Sequence, residues 1–342
     1  MDIERICGAT DDALELRLAL IAEMRRLIGF DAYAFLLTDP ETSVGTAPLA
    51  DVPNLPDLPR LIRLKYLSRL NRWTGLTEGQ VAVLSQVAGD DPVAGQTWPG
   101  LLRAYGIGDV ASMVFRDRFG CWGFLDLWRS GVDARFTEAE AASLAMLTRP
   151  VTAALRRCQA TTFRSGSARA PRVGPVVLLL SAELDVLGQT QETEDYLRLL
   201  ISPPPGHPPI PASAYNVAAQ LLAAEAGVDP SPAIARVHLA DGLWLTLRAA
   251  LVTATGSASD RRIAVTIEEA SPTERVAVFG LAFGLSSRER DLLDHLIAGG
   301  DTREIAAAMF LSEHTVQDYL KSIFAKTSVH NRRTLIAKAL GT

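Results

Sequence analysis

What this 342-residue chain has little of narrows it first. It has three cysteines, Cys7, Cys121 and Cys158, with no CxxC and no paired spacing. A disulfide framework and a zinc cluster are thereby excluded. No histidine precedes Arg157 and no cysteine follows Cys158. The first absence excludes a histidine-ligated haem upstream, and the second excludes a flavin–cysteinyl photosensor downstream. No apolar run reaches the roughly 20 residues that a membrane-spanning helix needs. The opening Met1-Asp2-Ile3-Glu4-Arg5 is not a secretory leader, so a cytoplasmic protein with no membrane partner is expected. There is no G-x-x-x-x-G-K-[ST] phosphate loop, no G-x-G-x-x-G after a strand, no G-x-S-x-G elbow and no H-E-x-x-H. A receiver-like phosphoacceptor arrangement is missing too. With no nucleophile–base pair the chain is expected not to be an enzyme, and no cofactor or metal is expected.

What is there suits two or three domains: the length exceeds one small domain, and 48% hydrophobic residues supply real cores. The net charge of −5 rules out a polycation that coats nucleic acid. Charge is nevertheless unevenly placed. From Leu285 onward eight Lys/Arg face seven Asp/Glu, and from Thr315 onward five face one.

The C-terminal stretch carries the most specific pattern. Ser286-x-x-Glu289 and Asp301-x-x-Glu304 are capping boxes, Ser312 and Asn331 are N-caps, and Gly299 and Gly341 are helix stops. Four short helices follow. On the third, Val316, Leu320, Ile323 and Thr327 share one side, with His314, Gln317, Asp318 and Lys321 opposite. Polar side chains near the start of such a helix suit the major groove, and the positive charge around them suits phosphates.

This stretch resembles the C-terminal domain of LuxR/GerE-type transcription regulators. Leu285, Arg288-Glu289, Gly299, Glu304-Ile305-Ala306, Leu311-Ser312, Thr315-Val316, Ile323, Lys326, Val329 and Arg332 carry the resemblance. It implies a four-helix helix-turn-helix on double-stranded DNA, and a homodimer. Carried over by position, Gln317, Asp318 and Lys321 would face bases. Ser312, Thr315, Lys326 and Arg332 would hold phosphates, with Arg303 and His314 as additions. RNA polymerase would be a further partner. The chain departs from the family at Gln317, Tyr319 and Thr327-Ser328, where Lys, His and Leu-Gly are common.

Upstream, residues 1–158 read as helix, strand, helix, hairpin and closing helix. The first helix carries Leu14, Leu18, Ile21, Met24 and Leu27 at one-face spacing, and Thr137 with Glu140 caps the last. The unit resembles a GAF sensory domain, at Met113 to Trp128 and Phe136 to Glu140. Residues 159–174 are small, polar and basic, a linker. Residues 175–279 give two strands, helices and three strands, with Asp241-Gly242 as a hairpin turn. The layout, with Ala240 to Trp244, resembles a PAS domain.

The expected fold is therefore α+β multidomain: two α/β sandwich units, then an all-α four-helix domain at 280–342. The segment Pro272 to Gly284 would transmit between them. Trp122, Phe124 and Trp128 alternate on one strand face and are the candidates for binding a small-molecule effector, although core packing accounts for them as well. Cys121 would sense redox state only if exposed with a depressed pKa. Two alternatives stand beside the regulator reading. One is an acyl-homoserine-lactone-type quorum-sensing receptor, hinted at by Tyr66, Trp73 and Asp91-Pro92. The other is a scaffold whose helical domain docks on a protein rather than DNA.

Overall fold

The computed structural model describes residues 3–87, 97–163, 176–200, 210–239, 243–253 and 261–342. The turn at Asp241-Gly242, the pair Asp91-Pro92 and most of the 159–174 linker lie outside the described residues.

The first unit opens with α1 (Ile3–Ala9) and α2 (Ala13–Ile28). Next come β1 (Ala32–Thr38), β2 (Gly45–Asp51), α3 (Leu58–Leu67), β3 (Val81–Val83), α4 (Leu84–Val87) and α5 (Trp98–Ala104). β4 (Ile107–Asp117), β5 (Gly120–Ser130) and α6 (Glu138–Thr161) complete it. Its antiparallel sheet runs β2-β1-β5-β4-β3. The second unit has β6 (Val176–Ser181), β7 (Val186–Gln189), α7 (Thr193–Leu200) and α8 (Ala212–Glu225). β8 (Ile234–His238), β9 (Trp244–Thr253) and β10 (Arg261–Glu269) finish a sheet of order β7-β6-β10-β9-β8. Counted within each unit, both orders are 2-1-5-4-3. Two unlike sequences thus build the same sheet.

The last part holds α9 (Pro272–Ala282), α10 (Ser287–Ile297), α11 (Thr302–Met309), α12 (Glu313–Thr327) and α13 (Arg332–Leu340). The capping boxes at Ser286/Glu289 and Asp301/Glu304 form with both hydrogen bonds in place, and so does Thr137/Glu140 at the start of α6. A further box at Ser271/Glu274 starts α9. The expected boundary at residue 280 falls inside this helix. α9 packs on α13 and α6, and Arg275 donates from Nε to the Ala339 carbonyl at 3.1 Å. The end carbonyls of α13 are thereby satisfied by a side chain, and the segment expected to transmit is itself part of the C-terminal core.

α8 ties the two sheet units together. It packs on α3 and β2 of the first unit as well as on its own sheet, and most of its residues are buried. Two buried ion pairs cross the same boundary: Arg236–Asp39 at 2.7 Å and Arg72–Asp229 at 2.8 Å. Asp39 also accepts the Glu41, Thr42 and Arg236 backbone N–H groups, so its charge is fully hydrogen-bonded. A ring cluster joins all three parts. Phe163, just past α6, stacks on Trp244 of β9 at 4.9 Å and meets Phe279 of α9 edge-on at 5.3 Å.

Two expected faces turn out differently. On α2 the buried residues are Leu16, Arg17, Leu20, Ile21 and Met24, while Leu14, Leu18 and Leu27 are 51%, 49% and 40% exposed. The cause is Arg17, which donates to the Phe35 and Ala47 carbonyls beside an irregularity in the β1–β2 register. Its guanidinium must face the sheet, which rolls the leucines outward. On β5, Phe115 pairs with Gly123 but Arg116 pairs with Cys121, which leaves Trp122 as the extra residue of a bulge. The bulge breaks the alternation. Trp122 joins the core with α6 and gives its Nε1–H to Asp117, whereas Cys121 shares a core with Phe124. The expectation that Trp122, Phe124 and Trp128 line one face is corrected accordingly.

Candidate nucleic-acid interface and an upstream cavity

The third helix of the C-terminal domain presents the predicted faces. Val316, Leu320, Ile323 and Thr327 are buried, and His314, Gln317, Asp318 and Lys321 are exposed. Ser312 accepts the Thr315 N–H at 3.1 Å and its hydroxyl meets that of Thr315 at 2.9 Å. These two residues therefore set the start of α12. Thr327 disposes of its hydroxyl by donating to the Ile323 carbonyl at 2.7 Å.

Asp318 lies between Lys321, whose Nζ is at 3.0 Å, and His314, whose Nε2 is at 3.5 Å. The Lys321 hydrogen bond, helped by the nearby His314, holds its carboxyl below the ordinary range. Its repulsion toward phosphate is offset by its own neighbours. Gln317 Nε2 donates to Thr302 Oγ1 at 3.3 Å, and Arg332 donates to the same oxygen. Thr302, which sequence reasoning did not single out, thus holds two of the predicted contact residues in place. Arg303 is exposed beside it.

Lys326 has a different setting from its companions. Its ammonium lies 2.6 Å from Glu289 Oε2, and Ser322 donates to Oε1 at 2.6 Å. Burial alone would raise the Glu289 pKa; the bonds from Lys326, Ser322 and Ser286 outweigh it and hold the group at about 2. Lys326 is first a tether between α12 and α10. Nothing in the spacing of the two residues, 37 apart, announces this pair.

Upstream, a cavity of about 320 Å³ lies on the first sheet beneath α3, walled on the far side by Ala212 and Asn216 of α8. Phe124 and Trp128 line it with Tyr66 and Trp98; Trp122 does not. The lining is otherwise aliphatic except for Lys65, paired with Asp126 at 2.8 Å, and Asp51 near the opening. Lys65 Nζ also donates to the Asn71 carbonyl at 3.0 Å and sits 3.9 Å from the Trp98 ring centroid. Burial pushes its pKa down, and the Asp126 charge opposes the shift. Tyr66 accepts the Gly45 N–H at 3.0 Å, a close approach in which a Cβ on Gly45 would stand 2.7 Å from Leu36 and 3.3 Å from Asn216 Nδ2. Tyr66 and Trp73 meet edge-on at 4.9 Å, and Trp73 stacks on Phe124 at 4.2 Å. Only Tyr66 of that pair reaches the cavity. Cys121 is buried and burial pushes its thiol up, which removes it as a redox sensor.

Four capped helices with an exposed polar face on the third define a helix-turn-helix domain. Residues 284–339 match the family model described as "Bacterial regulatory proteins, luxR family". The chain is 37% identical over 71 residues to the probable HTH-type transcriptional regulator GfsR of Streptomyces halstedii, covering 21% of this chain and 29% of that protein. It is 38% identical over 55 residues to a probable csgAB operon transcriptional regulatory protein of Salmonella typhimurium, covering 16% of this chain and 26% of the relative. The chain thus spans well under a third of the length of these relatives. Among solved structures, Escherichia coli SdiA aligns over 98% of this chain and 93% of its own, at 12% identity and a TM-score of 0.35. At that score the likeness carries no weight for fold or ligand.

Proposed function

We infer that this chain is a transcription regulator whose C-terminal helix-turn-helix binds double-stranded DNA as a homodimer, under control of the two upstream units acting as sensory domains, GAF-like and PAS-like. One observation carries the reading: the outward face of α12 offers Gln317, Asp318 and Lys321 together, on a helix whose other side is fully packed. Those are hydrogen-bonding side chains at the spacing base edges require. The shared 2-1-5-4-3 sheet order and the cavity support a sensory role upstream. A bound effector acts by favouring one arrangement of the units over another.

The test is fluorescence anisotropy with a mixed-sequence duplex across a salt series. Lys321→Glu weakens binding by at least tenfold. Arg149→Glu, an equal charge change on the exposed side of α6, leaves it unchanged. Equal behaviour of the two variants would overturn the reading and favour a protein-docking role for the helical domain.

A further inference from the structure

We propose that the cavity under α3 takes a small, uncharged, largely apolar molecule bearing a carbonyl-type oxygen, gripped between the first sheet and α8. This deepens the sensory reading above and rests on it. The starting observation is a pair of orphans. Trp128 Nε1 and Asn216 Nδ2 are both buried, both line the cavity, and neither has a hydrogen-bond partner among the described residues. Trp128 is 2% exposed and Asn216 is 1% exposed. Buried polar groups are normally satisfied, and an orphan in a cavity wall is one that a bound molecule can complete.

The chemistry of the orphans selects the ligand. Both are N–H donors, so the missing group is an acceptor. The cavity's buried carboxylate, Asp126, is taken by Lys65, and the Lys65 ammonium is itself filled by Asp126, the Asn71 carbonyl and the Trp98 ring face. The pair leaves no net charge to meet an ion. Asp51, at the rim, is 64% exposed and faces Arg25 at 3.7 Å, so a charged ligand inside would be desolvated with no buried counter-charge free to meet it, which is strongly unfavourable. Trp98, Phe124, Tyr66 and the leucines around them fit an apolar body. The two donors come from different units, Trp128 from β5 and Asn216 from α8. An occupant that bonds both ties the second unit to the first. That is how occupancy of this site reaches the relation between units.

The test uses four compounds of one skeleton: benzophenone, diphenylmethane, aminodiphenylmethane as its cation and diphenylacetate as its anion. Binding to the full chain is followed by calorimetry and by the indole ¹H–¹⁵N signals of its five tryptophans, the Trp128 signal being the one missing in Trp128→Phe. Benzophenone is expected to move the Trp128 signal and to bind at least tenfold tighter than the other three. Trp128→Phe weakens benzophenone several-fold, the size of one neutral hydrogen bond, and leaves diphenylmethane unaffected. The four remaining indole signals report that this variant is folded. Ala34→Phe, which fills the chamber from β1, abolishes binding. Three results each overturn the proposal: a still Trp128 signal, benzophenone no tighter than diphenylmethane, or equal binding of an ion. DNA affinity without any compound, measured on the same samples with Lys321→Glu beside wild type, shows separately whether the regulator reading stands.

Discussion

Lys326 Nζ stands 2.6 Å from Glu289 Oε2, and this contact, with the bond from Ser322, fastens α12 to α10, the helix that opens the four-helix domain. Glu289 also accepts the Ser286 backbone N–H at 2.6 Å within its capping box. A single carboxylate therefore serves a helix start and a helix-to-helix tether. Its pKa, depressed from 4.5 to about 2, fixes the pH behaviour. A carboxyl depressed on folding stabilises fully above its unfolded value and loses that contribution as pH falls through the folded value. Glu289→Gln should lower stability by about 1–2 kcal/mol at pH 7. Denaturant unfolding at pH 7 and at pH 2.5 checks this, with the gap between wild type and variant narrowing at the lower pH.

Two turn positions hold side chains where glycine or asparagine is at ease. Ser328 has φ 54° at the end of α12, and Phe310 has φ 57° between α11 and α12 with 94% of its surface exposed. Left-handed backbone costs an ordinary residue about 1 kcal/mol. Ser328→Gly and Phe310→Asn are each expected to stabilise the domain by roughly 0.5–1 kcal/mol, seen as a raised denaturation midpoint at unchanged slope.

The Asp39–Arg236 pair crosses from the first unit to the second with both side chains buried. Removing one partner strands the other. Asp39→Leu is expected to cost about 3–5 kcal/mol, while adding Arg236→Met recovers only the part due to the stranded guanidinium, since the Glu41, Thr42 and Arg236 N–H groups still lose their acceptor. Unfolding of the two single variants and the double variant completes the cycle. A double variant as unstable as the sum of the singles contradicts this reading.

Asp318 lies against Lys321 and His314 on the exposed face of α12. Asp318→Asn releases both. Affinity for mixed-sequence duplex should rise several-fold, and the salt slope should steepen by about 1, the increment for one more phosphate contact. Selectivity should fall where a carboxylate reads cytosine.

Local signals were readable in the chain and long-range ones were not. Caps at Ser286, Asp301, Ser312 and Asn331 act within three residues, so sequence alone placed the four terminal helices. The inward set Val316, Leu320, Ile323 and Thr327 followed from helical period. The cavity could not be read this way, because Ala34, Tyr66, Trp128 and Asn216 come from four distant elements. Trp122 was misplaced since one extra residue in a strand reverses every side chain beyond it. Leu14 and Leu18 looked like core until Arg17 was seen to claim the inward direction through two sheet carbonyls. α9 escaped notice although Ser271 and Glu274 spell its capping box, because its apolar residues read as a connector between recognisable patterns.

The most direct measurement is selection of binding sites from random-sequence duplex DNA with the full chain, beside Lys321→Glu. Enrichment of a two-fold symmetric site, lost in the variant, is the predicted result and shows a dimer reading bases through α12. Enrichment of the same site by the variant, or of none by the wild type with and without benzophenone, would contradict the account.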